Sequence, residues 1–332
     1  MPELNYILLD STDPAWNLAA EQAVFDLLPR DRSYLMLWRN DNAVIIGKYQ
    51  NTLAEINKPY IDANQIRVVR RLSGGGAVYH DLGNLNYTFI TDARNTETLD
   101  LHLFCRPVVR TLKALGVPAE ANGRNDITAA GKKVSGSAQY LRGGRIMHHG
   151  TLLFDSDLNV VSRALHVDEE KIRAKGLRSV RSRVSNIRPF LREDCTILEF
   201  RDKLLENLLR ETPGSIYRFT PDDLLAIDTL RQERYNSWEW NYGASKECTL
   251  RKRRRFEGCG TVEAALSLDG GRIRELCFTG DFFSLREPEE LAAKMTGLRL
   301  EAADLRAALA DTDVGQYFMG LSREALLALL CA

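Results

Sequence analysis

The stretch of this chain best equipped for chemistry is Arg70-Arg71-Leu72-Ser73-Gly74-Gly75-Gly76-Ala77-Val78-Tyr79-His80-Asp81. Three consecutive glycines between strand-like segments carry a high cost in conformational entropy. In return they let the backbone approach a ligand closely and aim amides at phosphate oxygens. Arg71 and Ser73 just before the glycines, and His80 just after, supply donors. The alternative is a glycine-rich hairpin turn that binds nothing.

A second stretch runs from Gly123-Arg124-Asn125-Asp126-Ile127 to Gly131-Lys132-Lys133-Val134-Ser135-Gly136-Ser137-Ala138. Asp126 offers a hard oxygen ligand of the kind Mg²⁺ takes. Lys132 and Lys133 on a strand point to opposite faces, so only one can serve a pocket. The segment is no phosphate-binding P-loop, because Lys133 follows Lys132 where Ser or Thr is required and Asp126 stands where Gly is required. Adjacent His148 and His149 also face opposite sides of a strand, so they cannot jointly hold one metal in the usual way. Finally, Lys175 to Asn186 spaces basic and hydroxyl residues, as a solvated loop or as a cover for an anion. Metalloprotease, nucleophile-elbow and dinucleotide-binding motifs are missing from the sequence. Four weak signals that all favour phosphate and carboxylate point to a nucleotide-using enzyme rather than a passive binder.

These residues need a frame. Asp13 and Pro14 open a helix whose apolar face is Leu18, Phe25 and Leu28, with Glu21 on the same face or at its edge. Tyr34–Trp38, Ala43–Gly47, Ile66–Val69, Ala77–His80 and Leu85–Ile90 read as strands. A helix follows through Leu101, Cys105, Val108 and Leu112, in which Pro107 requires a kink or an early position. Strands resume at Ile127–Thr128, Lys133–Ser137 and Gly150–Phe154. Thr196 with Glu199 makes a capping box, and Thr220-Pro221-Asp222-Asp223 opens another helix. Beyond a boundary near residue 246 the chain is basic and turn-rich, then forms a hairpin over Thr261–Leu268 and Ile273–Phe278. Helices follow around Pro288–Met295, Ala302–Ala310 and Ser322–Leu330.

Bulk properties set bounds. The 332 residues suit one large and one small domain, here 1–246 and 247–332. Lys+Arg and Asp+Glu both number 45, so the chain lacks the basic field that nucleic-acid binding uses. No apolar run has the length of a membrane span, and the start lacks a secretory pattern, so a cytoplasmic enzyme is expected. The six cysteines form no C-x-x-C pair, so neither a zinc site nor a disulfide framework is indicated.

Taken in order, RRLSGGGAVYHD, GRND, KVSGSA (133–138), HHGT (148–151) and KGLRSVRSRVSN (175–186) closely resemble the lipoate–protein ligase A family, within the biotin/lipoate ligase superfamily. Asn17–Glu21, Trp38 to Asn51 and Ser237–Trp240 fit it too, so the likeness covers essentially the whole chain. One departure is Gln139-Tyr140, where some members carry an arginine.

The resemblance implies an α+β fold. Its core is a large mixed, mostly antiparallel sheet flanked by helices, of the class II synthetase and biotin ligase kind, with a small α+β C-terminal accessory domain. It implies activation of lipoic acid with ATP and Mg²⁺ to lipoyl-AMP. Transfer follows to a lysine of lipoyl-domain carriers, namely 2-oxoacid dehydrogenase E2 subunits and glycine cleavage H protein. Lys133 would be the active-site lysine. Asn125 and Asp126 would take the ATP and Mg²⁺ side, with Asp126 the metal ligand. Arg71, Ser73 and Gly74–Gly76 would hold lipoate or the phosphate end. Glu21, Trp38 and Val78 would line the acyl channel. His80 and His149 would be pocket-wall or carbonyl-side residues, Ser135, Gly136 and Thr151 would bind lipoate or the adenylate, and Arg181, Ser182 and Arg183 would belong to a loop closing over the adenylate. Rival readings are an acyltransferase of the same superfamily and a non-catalytic lipoate or carrier binder. A cysteine nucleophile is disfavoured, because no cysteine lies between Cys105 and Cys195.

Overall fold

A computed structural model of the chain describes residues 4–92, 101–123, 125–166, 184–243 and 248–331. Its largest element is an eight-stranded sheet built from β1 (Leu4–Leu8), β2 (Ser33–Trp38), β6 (Asn84–Asp92), β7 (Ala119–Asn122), β8 (Asp126–Ala129), β9 (Lys132–Arg142), β10 (Arg145–Leu153) and β11 (Gly214–Ile216). The order is β11-β1-β2-β6-β10-β9-β8-β7. Two junctions, β11–β1 and β1–β2, are parallel, and the others are antiparallel. The expected mixed, mostly antiparallel sheet is therefore the observed one.

Strand alternation assigns each face. On one side Tyr34, Met36, Trp38, Ile90 and Met147 pack against helix α1 (Pro14–Leu27) through Leu18, Val24 and Phe25. On the other, Leu35, Leu37 and Tyr87 pack against the helices Leu101–Ala114 and Ile197–Glu211. Asp13 caps α1 and Pro14 starts it, as read from the sequence. The Thr196–Glu199 box forms with both reciprocal bonds. Pro107 lies inside its helix rather than in the first turn, because that helix begins no later than Leu101.

A second sheet carries the glycine stretch. Its strands are β3 (Ala43–Ile46), β4 (Arg67–Arg70) and β5 (Val78–His80), in the order β4-β3-β5. The segments Tyr34–Trp38 and Ala43–Ile46, adjacent in sequence, thus belong to different sheets. Arg70 at the end of β4 is buried and fixes this region. Its guanidinium donates to the carbonyls of Gly47, Lys48 and Gln50, to Thr52 Oγ1 and to Trp240 O. Burial lowers its pKa to about 10, and these acceptors take up the donors that water would otherwise satisfy.

The third sheet, β12 (Leu250–Phe256), β13 (Gly260–Asp269) and β14 (Arg272–Gly280), contains the hairpin expected from Asp269-Gly270-Gly271. Both glycines have positive φ. The basic segment read as turn-rich is instead the edge strand β12. Its arginines are drawn into partnerships, Arg251 with Glu263 and Arg255 with Asp281 and Thr261. Helices Pro288–Met295, Ala302–Ala308 and Arg323–Cys331 cover this sheet around Val262, Phe278, Phe318 and Leu326.

This C-terminal unit touches the glycine stretch directly. Tyr49 stacks on Phe282 at 4.9 Å, Lys48 pairs with Glu287 at 2.5 Å, and Gly75 N donates to Phe282 O at 3.3 Å. Gly47 lies beneath the same turn, where an added Cβ would meet Gly75 O at 1.9 Å. Backbone cannot yield there cheaply. Gly47→Ala should therefore lower unfolding free energy by about 2–3 kcal/mol, the range of core overpacking, read as a reduced denaturation midpoint with an unchanged slope.

Candidate active site

A cavity of about 150 Å³ opens between the two N-terminal sheets. Its lining includes Trp38, Arg71, Gly75, Gly76, Val78, His80, Asn125, Lys133, Gly136, His149 and Thr151. Segments far apart in sequence therefore converge on one cavity.

Lys133 faces this cavity while Lys132 is exposed. Its Nζ lies 2.6 Å from Asp126 Oδ1, with a third of the lysine side chain open to solvent. Antiparallel pairing of β8 with β9 makes this contact, helped by a register shift at Ile127/Thr128 that offsets the two strands. A Cβ on Gly136 would lie 2.7 Å from Lys133 Nζ, so the bare backbone at 136 is what leaves room for the amine. Asn125 is held by its amide, which donates to Ser137 O at 2.7 Å.

The glycines divide their tasks. Gly74 lies against the C-terminal unit, where a Cβ would sit 2.4 Å from Phe282 O. Gly75 has φ +91°, which L side chains rarely adopt. An added Cβ at Gly76 would meet nothing within 4 Å. Of the three, Gly76 alone is bare toward the open cavity.

Several expected ligand contacts stand one layer back. Arg71 Nε donates to Ser73 Oγ at 3.0 Å, and its two terminal nitrogens donate to Ile45 O, Gly74 O and Gly76 O. Arg71 thus braces the turn more than it offers donors to a ligand. Burial lowers its pKa to about 10, with Glu21 opposing that shift. Ser73 Oγ is 2.6 Å from His149 Nε2, and His149 Nδ1 is 2.9 Å from Glu21 Oε1. Thr88 Oγ1 donates to the same Glu21 oxygen at 2.7 Å, and Trp38 Nε1 donates to Thr88 at 2.9 Å. Glu21 is therefore not a channel wall, nor does it lie at the edge of its helical stripe. It is buried behind His149 because the imidazole and hydroxyl there satisfy its carboxylate. Ser73, Gly74 and Ser135 are likewise outside the cavity lining. Asp126 reaches it only through Lys133. Arg181, Ser182 and Arg183 lie outside the described residues.

His148 turns to the opposite face, as strand alternation requires. It meets Gln139 Nε2 at 3.0 Å through Nδ1, and Cys105 Sγ at 3.8 Å through Nε2. Burial lowers its pKa to about 3. Gln139, at the departure from the family pattern, is thus engaged on the far face of the sheet. Sequence reasoning assigned no site role to Asn86, Asn40 or Asn17. Asn86 lines the cavity and the other two stand behind it. Period-two placement of Asn84, Asn86 and Thr88 on one strand was the available signal.

Comparison with known proteins now bears on this geometry. The family model described as lipoyl protein ligase A/B catalytic domain matches residues 13–209, and the bacterial lipoate protein ligase C-terminus model matches residues 245–330. The chain belongs to the lipoate–protein ligase family. Lipoate–protein ligase 1 of Staphylococcus aureus is 40% identical over 319 residues, covering 96% of this chain and 97% of that protein. Lipoate-protein ligase LplJ of Bacillus subtilis is 41% identical over 321 residues, with 96% and 97% covered. Among solved structures, a lipoate-protein ligase A bound with ATP is 30% identical, with a TM-score of 0.62, 73% of this chain and 100% of that one covered. LipL1 of P. falciparum, solved in complex with lipoate, shares the fold over 99% of this chain and 98% of its own at TM-score 0.79 and 20% identity.

The two neighbouring glycines give a clean contrast. Gly75→Ala should cost about 1–2 kcal/mol because its φ is left-handed. Gly76→Ala should leave stability within about 0.5 kcal/mol, as for an unconstrained site, while weakening ligand binding. Chemical denaturation and calorimetric titration of the two variants separate these outcomes.

Proposed function

We propose that this ligase activates lipoate with ATP and delivers the lipoyl group to a carrier lysine. The observation that carries the reading is the Lys133 amine, placed beside Asp126 at the mouth of a cavity whose inner wall is Leu18, Trp38 and Ile45. That is a cation at the end of an apolar channel, which suits a carboxylate on an apolar chain. Relatives support it: a 30% identical lipoate-protein ligase A of known structure carries ATP, and a 30% identical protein of T. acidophilum carries lipoic acid.

In the first step a lipoate carboxylate oxygen attacks the α-phosphorus of ATP. The bond to the bridging oxygen breaks and pyrophosphate leaves, giving lipoyl-AMP. Two anions must meet, so their repulsion has to be offset before positioning helps. Lys133 Nζ would stand between them, a preorganised charge of the kind that dominates many rate accelerations. Gly76 and Gly75 would allow close backbone approach. In the second step a neutral lysine amine of the carrier attacks the acyl carbonyl, AMP leaves, and the amine loses a proton to form the amide.

Mg²⁺ fits this donor set. The ion takes one or two protein carboxylates together with phosphate oxygens and water. Asp126 is one such carboxylate, and no cluster of three or more metal-binding side chains exists among the described residues. Asp126, with Asn125 beside it, would hold the ion, which would supply charge neutralisation at the phosphates.

The carriers in this reading are lipoyl domains of 2-oxoacid dehydrogenase E2 subunits and the glycine cleavage H protein. A bipartite ligase of Thermoplasma acidophilum, 31% identical with a TM-score of 0.64 over 75% of this chain and 100% of that one, was solved in a study of its lipoylation system that includes an E2 lipoyl domain. The use of ATP favours a cytoplasmic site of action. The division at residue 246, between catalytic and accessory units, is supported by separate apolar cores on either side.

Mass spectrometry of an apo lipoyl domain incubated with the protein, ATP, Mg²⁺ and lipoate should show one lipoyl mass added, and none without ATP. Acyl transfer that needs no ATP would refute adenylation. Lys133→Ala should cut lipoate-dependent pyrophosphate exchange by roughly 100-fold or more with the thermal midpoint nearly unchanged. Wild-type exchange by that variant would remove the lysine from the mechanism. Gly136→Ala should slow exchange too, since its methyl displaces the amine, yet fold normally because the lysine tip can swing aside.

A further inference from the structure

Burial orients the cavity. Leu18, Trp38, Ile45 and His80 are each at most 3% exposed, whereas a third of the Lys133 side chain is open. The lysine therefore marks the mouth; of the buried polar side chains on the lining, Arg71 and His149 are occupied by protein partners, whereas His80 and Asn86 each keep an unpaired nitrogen.

The protonation of His80 follows from its neighbours. Asn17 has one amide atom within reach of two backbone carbonyls, Ser11 O at 3.0 Å and Arg39 O at 2.8 Å. Carbonyls only accept, so that atom is the nitrogen. It also lies 2.9 Å from Asn40, which must present its oxygen. The nitrogen of Asn40 is then the atom 3.1 Å from His80 Nδ1. Nδ1 must accept. Burial, followed by the nearby charge of Arg71, lowers the His80 pKa to about 3, so the ring is neutral at pH 7. Its single hydrogen sits on Nε2. That Nε2 is buried, and it has no hydrogen-bond partner among the described residues. Asn86 Nδ2, also on the cavity lining, is in the same position.

A buried donor without an acceptor is costly. A ligand whose far end is a plain hydrocarbon offers that N–H no acceptor. A sulfur at the same place is a weak acceptor. Sites built around a polar contact reject analogues lacking it more strongly than apolar sites reject small changes of shape. We propose that His80 Nε2–H, held in this tautomer by Asn17 and Asn40, determines specificity at the far end of the acid, selecting a cyclic disulfide over a hydrocarbon terminus. The inference rests on the lipoate reading above and adds the group that reads the ring.

The probe pair is lipoate against 5-cyclopentylpentanoate, which keeps the five-membered ring and chain but lacks sulfur. Calorimetric titration of the full chain should show lipoate binding roughly fivefold tighter or more, the range expected for leaving one buried donor unpaired. His80→Phe should erase that preference, and His80→Gln, whose amide nitrogen can occupy the Nε2 position, should restore most of it. Nitrogen-15 spectra of the imidazole should show a neutral ring protonated at Nε2 near pH 7. Equal affinity of the wild type for both acids overturns the proposal, as does an Nδ1–H ring or a preference that survives in His80→Phe. Should neither acid bind, the lipoate reading itself falls, a result distinct from equal binding.

Discussion

The site depends on a buried line of hydrogen bonds, Arg71–Ser73–His149–Glu21. Each member would be costly inside the protein if left alone, and together they satisfy one another. The line joins the glycine turn to β10 and α1, and through Thr88 and Trp38 it reaches β6 and β2. Moving any one of these elements would strand a polar group. The glycine turn is therefore braced by side chains of which Ser73 and Glu21 stand outside the cavity, while Arg71 and His149 also reach its lining.

Around that line the polar groups divide into two kinds. Arg70, Arg71, Ser73 and Glu21 are consumed by the protein itself, which explains how so many charges are buried at 2–6% exposure or less. Lys133, Asn125 and His80 line the cavity, and their surroundings leave room or a donor for a ligand. Lys133 has space because position 136 lacks a side chain. His80 has a free N–H because its other nitrogen is occupied by Asn40. The C-terminal unit enters through Phe282, whose carbonyl abuts the glycine turn, so the accessory unit bears on the geometry of the pocket.

Much of this was legible in the residues. Asp13-Pro14 and Thr196-x-x-Glu199 fix helix starts by local hydrogen bonding, which needs no distant partner. Strand alternation alone sends His148 and His149, or Lys132 and Lys133, to opposite faces. Asp269-Gly270-Gly271 forms its hairpin because both glycines accept positive φ. The basic run at 250–256 defeated local reading, since its arginines sit on a strand only because β13 pairs with it and carries Glu263 opposite.

By itself, then, the sequence determined the family, the strand and helix boundaries set by local rules, and which member of each adjacent pair a pocket can use. Tertiary structure alone decided which polar residues meet the cavity and which stand behind it. Glu21 and Ser73 look like ligand contacts in sequence, yet they are support. Asn17 and Asn40 fall in segments that fit the family pattern but that pattern gives them no role, yet they settle a tautomer. The physical reason is that satisfaction of a buried polar group depends on partners brought in from other strands and helices, at separations such as the 128 residues between Glu21 and His149, and no local pattern encodes them.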